Sequence, residues 1–295
     1  MIMKAIIQLT KRNLLQFFRD KTEVFFSFLS VIIILGLYLL FLSDQQVRNI
    51  EFTIGQTVEG IKPLVNAWVM AGLVAVSTVT LSIGSLGKMV LDKNRKVFYD
   101  FMVAPIKRYQ LFLSYITSTF MTVLMISITI VVISQLYVVF SGGSWLTFDQ
   151  LVRIAFYLLL CILSSTFMVL FIVSFFNNPS VMSTFATVVG TLIGFVTGAY
   201  VPMGVLPKGV QIVSNLIPVS QGASLLRQVF MEAPIQQVFA GAPEGVLTSY
   251  LKFQGIDLYI GDILLTPTVM VMYMIGSTLI FIGLNYWRFQ KMKNN

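Results

Sequence analysis

The 295-residue chain is 57% hydrophobic and only 11% charged, with a net charge of +8. An ordinary soluble domain carries roughly 25% charged residues, so this chain lacks the polar surface to cover its Leu, Ile, Val and Phe in water and fits a polytopic membrane protein whose solvent is lipid. The absence of histidine removes histidine metal ligands, Ser-His-Asp catalysis and histidine proton relays, and the one cysteine, Cys161, excludes an internal disulfide and a multi-cysteine zinc site.

Residues 1–23 form a polar, basic leader. In KAIIQLTKRNLLQFFRDK a helical projection gathers Ile6, Ile7, Leu9, Leu14, Phe17 and Phe18 on one broad side, with Gln8, Arg12, Gln16 and Arg19 opposite. This pattern predicts an amphipathic helix lying on the inner leaflet, with Lys11, Arg12, Phe17 and Arg19 as interface residues. The first apolar run starts only near Val24 and has no small-residue cleavage site after it, so no cleavable signal peptide is expected.

Runs long enough to cross ~30 Å of hydrocarbon, about 20 helical residues each, predict six spans. They are Val24 to Leu42, Leu64 to Leu86, Leu111 to Phe140, Ile154 to Phe176, Val181 to Val201 and Ile263 to Trp287. With the N-terminus inside, the leader, the second-to-third connection and the tail (288–295) hold 14 of the 20 Lys and Arg, while eight of the 12 acids lie outside. That asymmetry predicts cytoplasmic N- and C-termini and explains the basic balance through anionic lipid, with no need for nucleic acid. Outside, the stretch 202–262 mixes short apolar pieces with Pro and Gly, which reads as re-entrant helices too short to span, followed by a polar elaboration from Met231 onward.

Within the spans there is essentially no Asp, Glu, Lys or Arg to couple transport to protons. No GxxxxGK[ST] phosphate loop occurs; GSLGK (Gly84 to Lys88) has the wrong spacing and reads as a helix end. Ser127 and Thr129 have no base beside them, and their expected role is hydrogen bonding between or along helices. The chain therefore looks like a conduit without its own energy source.

One stretch breaks the apolar pattern: LDKNRKVFYDFMVAPIKRYQ, residues 91–110, on the cytoplasmic side. The positive-inside rule accounts for its Lys and Arg but not for the apolar Phe98, Tyr99, Phe101 and Met102 among them. The segment FYDFMVAPIKRYQLFLSYI (Phe98 to Ile116) resembles the cytoplasmic loop of ABC-2-type transporter permeases, with Asp100, then Ala104–Pro105, then Lys107–Arg108. A second block, GAYVPMGVLPKGVQIVSNLIPVSQGASLLRQVF (Gly198 to Phe230), resembles that family's signature after the fifth span, on Gly198, Pro202, Gly204, Pro207, Pro218 and Arg227.

The resemblance implies an all-α six-helix membrane domain (24–287) with an amphipathic interface helix, a cytoplasmic coupling helix within 91–110 and extracellular re-entrant helices within 202–262. It implies that Phe98, Tyr99, Asp100, Phe101, Met102, Pro105, Lys107 and Arg108 dock a separate cytoplasmic ATP-binding subunit, and that Gly198, Pro202, Gly204, Pro207, Pro218 and Arg227 belong to the external gate. ATP and Mg would be bound by that partner, and no cofactor by this chain, which would not itself be an enzyme. It further implies pairing with a second permease copy, contact with membrane lipid, a bacterial plasma membrane, and export of an amphipathic or lipophilic drug, antibiotic, toxin, lipid-like product or peptide. The alternative is an ATP-independent conduit: a channel, scramblase or secondary transporter.

Overall fold

A computed structural model describes residues 2–38, 43–54, 60–97 and 106–294. The described chain is almost entirely helical. It opens with α1 (Ile2–Arg19), α2 (Lys21–Leu37), α3 (Ser43–Ile54) and α4 (Ile61–Asn94). The long helices α5 (Arg108–Phe140), α6 (Phe148–Val173) and α7 (Pro179–Val196) follow. The short helices α8 (Lys208–Leu216), α9 (Pro218–Phe230), α10 (Glu232–Val238) and α11 (Glu244–Gln254) come next. A two-stranded hairpin, β1 (Tyr259–Ile260) and β2 (Ile263–Leu264), leads into α12 (Pro267–Asn294).

Among the described residues, five helices, α4, α5, α6, α7 and α12, are long and apolar enough to cross a membrane. The first expected span falls on α2, of 17 residues, and its last residues, 39–42, lie outside the described ones. The sixth expected span begins too early: Ile263 and Leu264 pair with Ile260 and Tyr259 across a Gly261–Asp262 turn, and the helix starts only at Pro267. The fifth ends at Val196 rather than Val201, because Gly198 takes a left-handed φ of +64° that closes the helix at no steric cost. The fourth starts earlier, at Phe148, where Thr147 and Gln150 exchange capping hydrogen bonds.

The centre of the bundle is α4. Its 34 residues extend roughly 51 Å at 1.5 Å per residue, well past the ~30 Å of hydrocarbon. It is rich in Ala, Gly, Ser and Thr, is buried on nearly every face, and packs against α5, α6, α7 and α9. Small residues let helices approach closely where lipid gives no hydrophobic drive, and their hydroxyls then pair across helices. Thr78 meets Ser165 at 2.9 Å on α6, and Ser85 meets Thr119 at 2.9 Å on α5. The expected helix end at Gly84–Lys88 is therefore mid-helix. Nothing lies within 4 Å of where a Gly84 Cβ would sit, and Lys88 pairs with Glu23 of α2 at 3.0 Å, so neither residue forces a stop.

The α4 C-terminus, the α5 N-terminus and the α12 C-terminus gather at one basic end of the bundle. Tyr115 of α5 bonds Asp92 of α4, and the Phe112 and Phe289 rings lie 5.5 Å apart. At the far end α9 is buried along almost its whole length against α4, α6 and α12.

Candidate functional site

The basic end carries a charged latch. Residues 91–94 are the last turn of α4, not part of a separate coupling helix, and Asp92 there is buried. Asp92 Oδ2 accepts from Arg12 Nη1 of α1 at 2.9 Å and from the Tyr115 hydroxyl of α5 at 2.6 Å, while Arg12 Nη2 reaches Oδ1 at 3.4 Å. Asn13 donates to Ser118 of α5 at 3.4 Å, and Lys88 lies 5.1 Å above the Phe17 ring. Burial opposes the Arg12 cation, but the hydrogen bond and charge of Asp92 outweigh it and leave the guanidinium above its usual pKa.

In this arrangement α1 divides its apolar residues between the bundle and the outside. Its buried face is Leu9, Thr10, Asn13 and Phe17, turned toward the bundle. Ile7 and Phe18, assigned to the same apolar side, are exposed, as is Met3. Arg12, assigned to the polar face, turns partly inward because Asp92 supplies a buried counter-charge. Lys11 and Arg19 stay exposed and, with Gln8, Arg12, Leu15 and Gln16, line a groove of about 370 Å³ on the outer face of α1.

Of the expected docking residues, Phe98, Tyr99, Asp100, Phe101, Met102 and Pro105 lie outside the described residues. Lys107 and Arg108 are exposed at the start of α5, where the Lys107 backbone N–H donates to Gln110 Oε1 at 2.8 Å.

Half-way along the bundle a cavity of about 670 Å³ opens between α2, α4 and α7. Leu73, Val76, Leu81 and Ala186 give it apolar walls, and Ser77, Thr80, Thr187 and Thr191 add hydroxyls. Asp20 and Glu23 stand at its mouth on the basic side, and Tyr200 is at its other end. The hydroxyls of Thr187 and Thr191 are spent on backbone carbonyls of their own helix, so the wall is softer in polarity than its composition suggests. The space is mostly apolar, with a few polar groups on its wall.

The far end is organised by Arg227, which the sequence singled out and the structure buries completely on α9. Its guanidinium lies 4.6 Å from the Trp68 ring centre on α4. Nη2 donates to the carbonyl of Gly198 and Nη1 to that of Gly255 at 3.3 Å. Both glycines have left-handed φ, +64° and +67°, which ends α7 and α11 and turns the two carbonyls inward. Gly72 completes the nest: a Cβ there would come within 3.0 Å of Arg227 Nη2 and 3.1 Å of Ala199. Burial penalises the cation, and the Trp68 face and the two carbonyls offset that penalty. Pro202 and Pro218 are buried, whereas Gly204 and Pro207 are exposed.

Trp68, Gly72, Gly255, Asp92 and Tyr115 were not expected as site residues. Only Asp92, an acid at the edge of an apolar run, carried a signal in the sequence.

A long central helix, a basic end latched to an amphipathic N-terminal helix, and a Gly-Pro-rich segment folded around one arginine are now in view. The model of the family described as ABC-2 type transporter matches residues 4–231, and so covers α1 through α9. The chain belongs to the ABC-2 type transporter family. It is a multi-pass membrane protein and the permease component of such a system, a component that is generally not catalytic and generally pairs with an ATP-binding subunit. A search of curated proteins finds no significant match. The family match stops at Met231, so α10, α11 and the hairpin of the permease lie beyond it.

Proposed function

We propose that this permease is the membrane half of an ATP-driven bacterial exporter that moves an amphipathic or lipophilic compound out of the cytoplasm or inner leaflet. It works as a dimer, with both termini in the cytoplasm. A separate ATP-binding subunit, carrying ATP and Mg, docks on residues 98–108 and on the groove of α1. Phe98, Tyr99, Phe101 and Met102 enter a cleft of that subunit, and Asp100, Lys107 and Arg108 orient it by charge.

The observation that carries this reading is α4. One helix holds Asp92 at the latch, Ser77, Thr80 and Leu81 on the cavity wall, and Trp68 and Gly72 at the Arg227 node. From Asp92 to Trp68 is 24 residues, about 36 Å of continuous helix. A push at residues 98–105, which join α4 to α5 in the chain, therefore reaches the cavity and the far-end helices through one rigid element. Re-entrant α8 and α9 close the exit, and the Arg227 node holds them to α4. The cavity is mostly apolar, which favours lipophilic cargo over polysaccharide.

The test is efflux of a panel of amphipathic fluorescent dyes from cells expressing the permease with the ATP-binding subunit encoded beside it. Loss of dye that stops when the partner's ATP hydrolysis is blocked supports export. Flux that persists without hydrolysis contradicts it and points to an ATP-independent conduit.

A further inference from the structure

The segment beyond Met231 ends in a small hairpin that exposes Ile260, Ile263 and Leu264 on its strands beside the exposed Asp262 of its turn. Ile263 is 72% exposed, and Ile260 and Leu264 are exposed beside it. In water such a tip is an unfavourable surface, and it is not isolated. Asn215 of α8 donates to the Tyr259 carbonyl at 2.7 Å, which ties the hairpin to a helix that exposes Ile212, Val213 and Leu216. The Tyr273 hydroxyl of α12 in turn donates to the Leu216 carbonyl. Hairpin, α8 and the first turns of α12 thus make one apolar ledge. It runs without a break into the exposed stripe of α12 that includes Val269, Met272, Leu279 and Ile280, the face of a membrane-crossing helix.

The level of the ledge can be read from both ends. On α12, exposed Trp287 is followed by Arg288 and Lys291, an aromatic-then-basic boundary of the kind that marks a membrane interface. Pro267 lies 20 residues before Trp287, about 30 Å along the helix, which is one hydrocarbon thickness. The helix α6 supplies an independent ruler. Asn285 of α12 donates to the Phe167 carbonyl of α6 at 2.9 Å. Counting back 18 residues on each helix puts Pro267 level with Asp149. Beside Asp149, Phe148 and Trp145 are exposed aromatics, the matching belt at the far interface. The hairpin therefore sits where acyl chains meet headgroups. A cation beside it, Lys252, is exposed and stacks 4.6 Å over the Tyr259 ring, where a long side chain can keep its stem on apolar surface and its ammonium toward headgroups.

We propose that the hairpin Tyr259–Leu264, held by α8, is bedded in the phospholipid of the far leaflet at the boundary between acyl chains and headgroups, so that this end of the segment beyond the family match meets lipid rather than water. The occupant of the ledge is lipid. This placement rests on the membrane-crossing helices alone, whatever the permease transports.

The test places a cysteine at Ile263 (Ile263→Cys), labels it with an environment-sensitive fluorophore, and reconstitutes the full chain into phosphatidylcholine–phosphatidylglycerol vesicles. Leu279→Cys on the α12 stripe is the lipid reference, and native Cys161 is buried and serves as the unlabelled background. Lipids spin-labelled near the glycerol are expected to quench position 263 several-fold more than aqueous iodide does, and lipids labelled deep in the chain are expected to quench position 279 preferentially. Quenching of position 263 by iodide alone would mean that the hairpin stands in water and would overturn the proposal. Protection from both quenchers would mean that protein covers it, a second copy or another chain, and would also overturn it. Leu264→Cys gives a second reading if labelling at 263 disturbs the hairpin.

Discussion

Gly198 and Gly255 end different helices, 57 residues apart, yet their carbonyls converge on the guanidinium of Arg227. Each carbonyl is free to do so because a left-handed glycine has just terminated its helix. The buried cation stacks on Trp68 of α4, so one residue joins α4, α7, α9 and α11. Arg227→Gln removes the charge and the two-pronged donor. Its expected cost is about 3 kcal/mol, from a desolvated cation–π contact and hydrogen bonds left unmade. Arg227→Lys keeps the charge but not the fork and should recover only part of that loss. The readout is the temperature at which the purified protein loses its monodisperse gel-filtration peak. A midpoint unchanged in Arg227→Gln would show that the node holds nothing together.

At the other end, Arg12, Asp92 and Tyr115 form a triad across α1, α4 and α5. Asp92→Asn should destabilise by about 1–2 kcal/mol, less than the full penalty of a buried pair, because Arg12 keeps some contact with solvent. In a double-mutant cycle with Arg12→Gln, the double variant should lose little more than either single one. Strictly additive losses would contradict a direct coupling. If the latch transmits motion, Asp92→Asn should also weaken transport more than it weakens binding of the ATP-binding subunit.

Close approach of α6 and α9 rests on a glycine. A Cβ at Gly222 would fall 2.2 Å from Cys161 Sγ and 3.7 Å from Cys161 Cβ. Gly222→Ala alone should therefore lower the thermal midpoint, and adding Cys161→Ala should restore most of it, since Cβ against Cβ at that distance is ordinary contact. If Cys161→Ala fails to rescue, the crossing is not as drawn.

The cavity between α2, α4 and α7 makes a separate prediction. Thr187 lines it, and its hydroxyl bonds only within its own helix. Thr187→Trp should fill the space and cut transport several-fold, with membrane insertion and partner binding unchanged. Transport at the normal rate would remove this cavity from the pathway.

The sequence made the long apolar helices legible, and its basic asymmetry matched the charged end of the bundle. What it hid had tertiary causes. Gly84, Lys88 and Asp92 each look like the end of a span. In the fold they are absorbed by an open cavity edge, by Glu23, and by Arg12 with Tyr115, so α4 runs on to Asn94. Ile263–Leu265 looks like the start of a span because apolarity alone does not separate a hairpin at the interface from a helix crossing it; the Gly261–Asp262 turn and Pro267 were the local signs. The amphipathic α3 falls between the first two spans, where apolar length, the signal that marks a span, does not reveal a 12-residue helix. Arg227 and the prolines around it were found through resemblance, whereas Trp68 and Gly72 became visible only once the arginine had a position.

The central claim is that motion enters this permease from an ATP-binding subunit at residues 98–108. The most direct measurement is co-purification in mild detergent with the neighbouring ATP-binding subunit, comparing the native chain with one carrying Asp100→Arg and Arg108→Glu. A stoichiometric complex is expected, its ATP hydrolysis stimulated by the native chain, with that stimulation lost in the charge-reversed chain while the permease remains folded. A permease that purifies as a stable oligomer with no ATP-binding subunit, or stimulation untouched by the reversal, would contradict it.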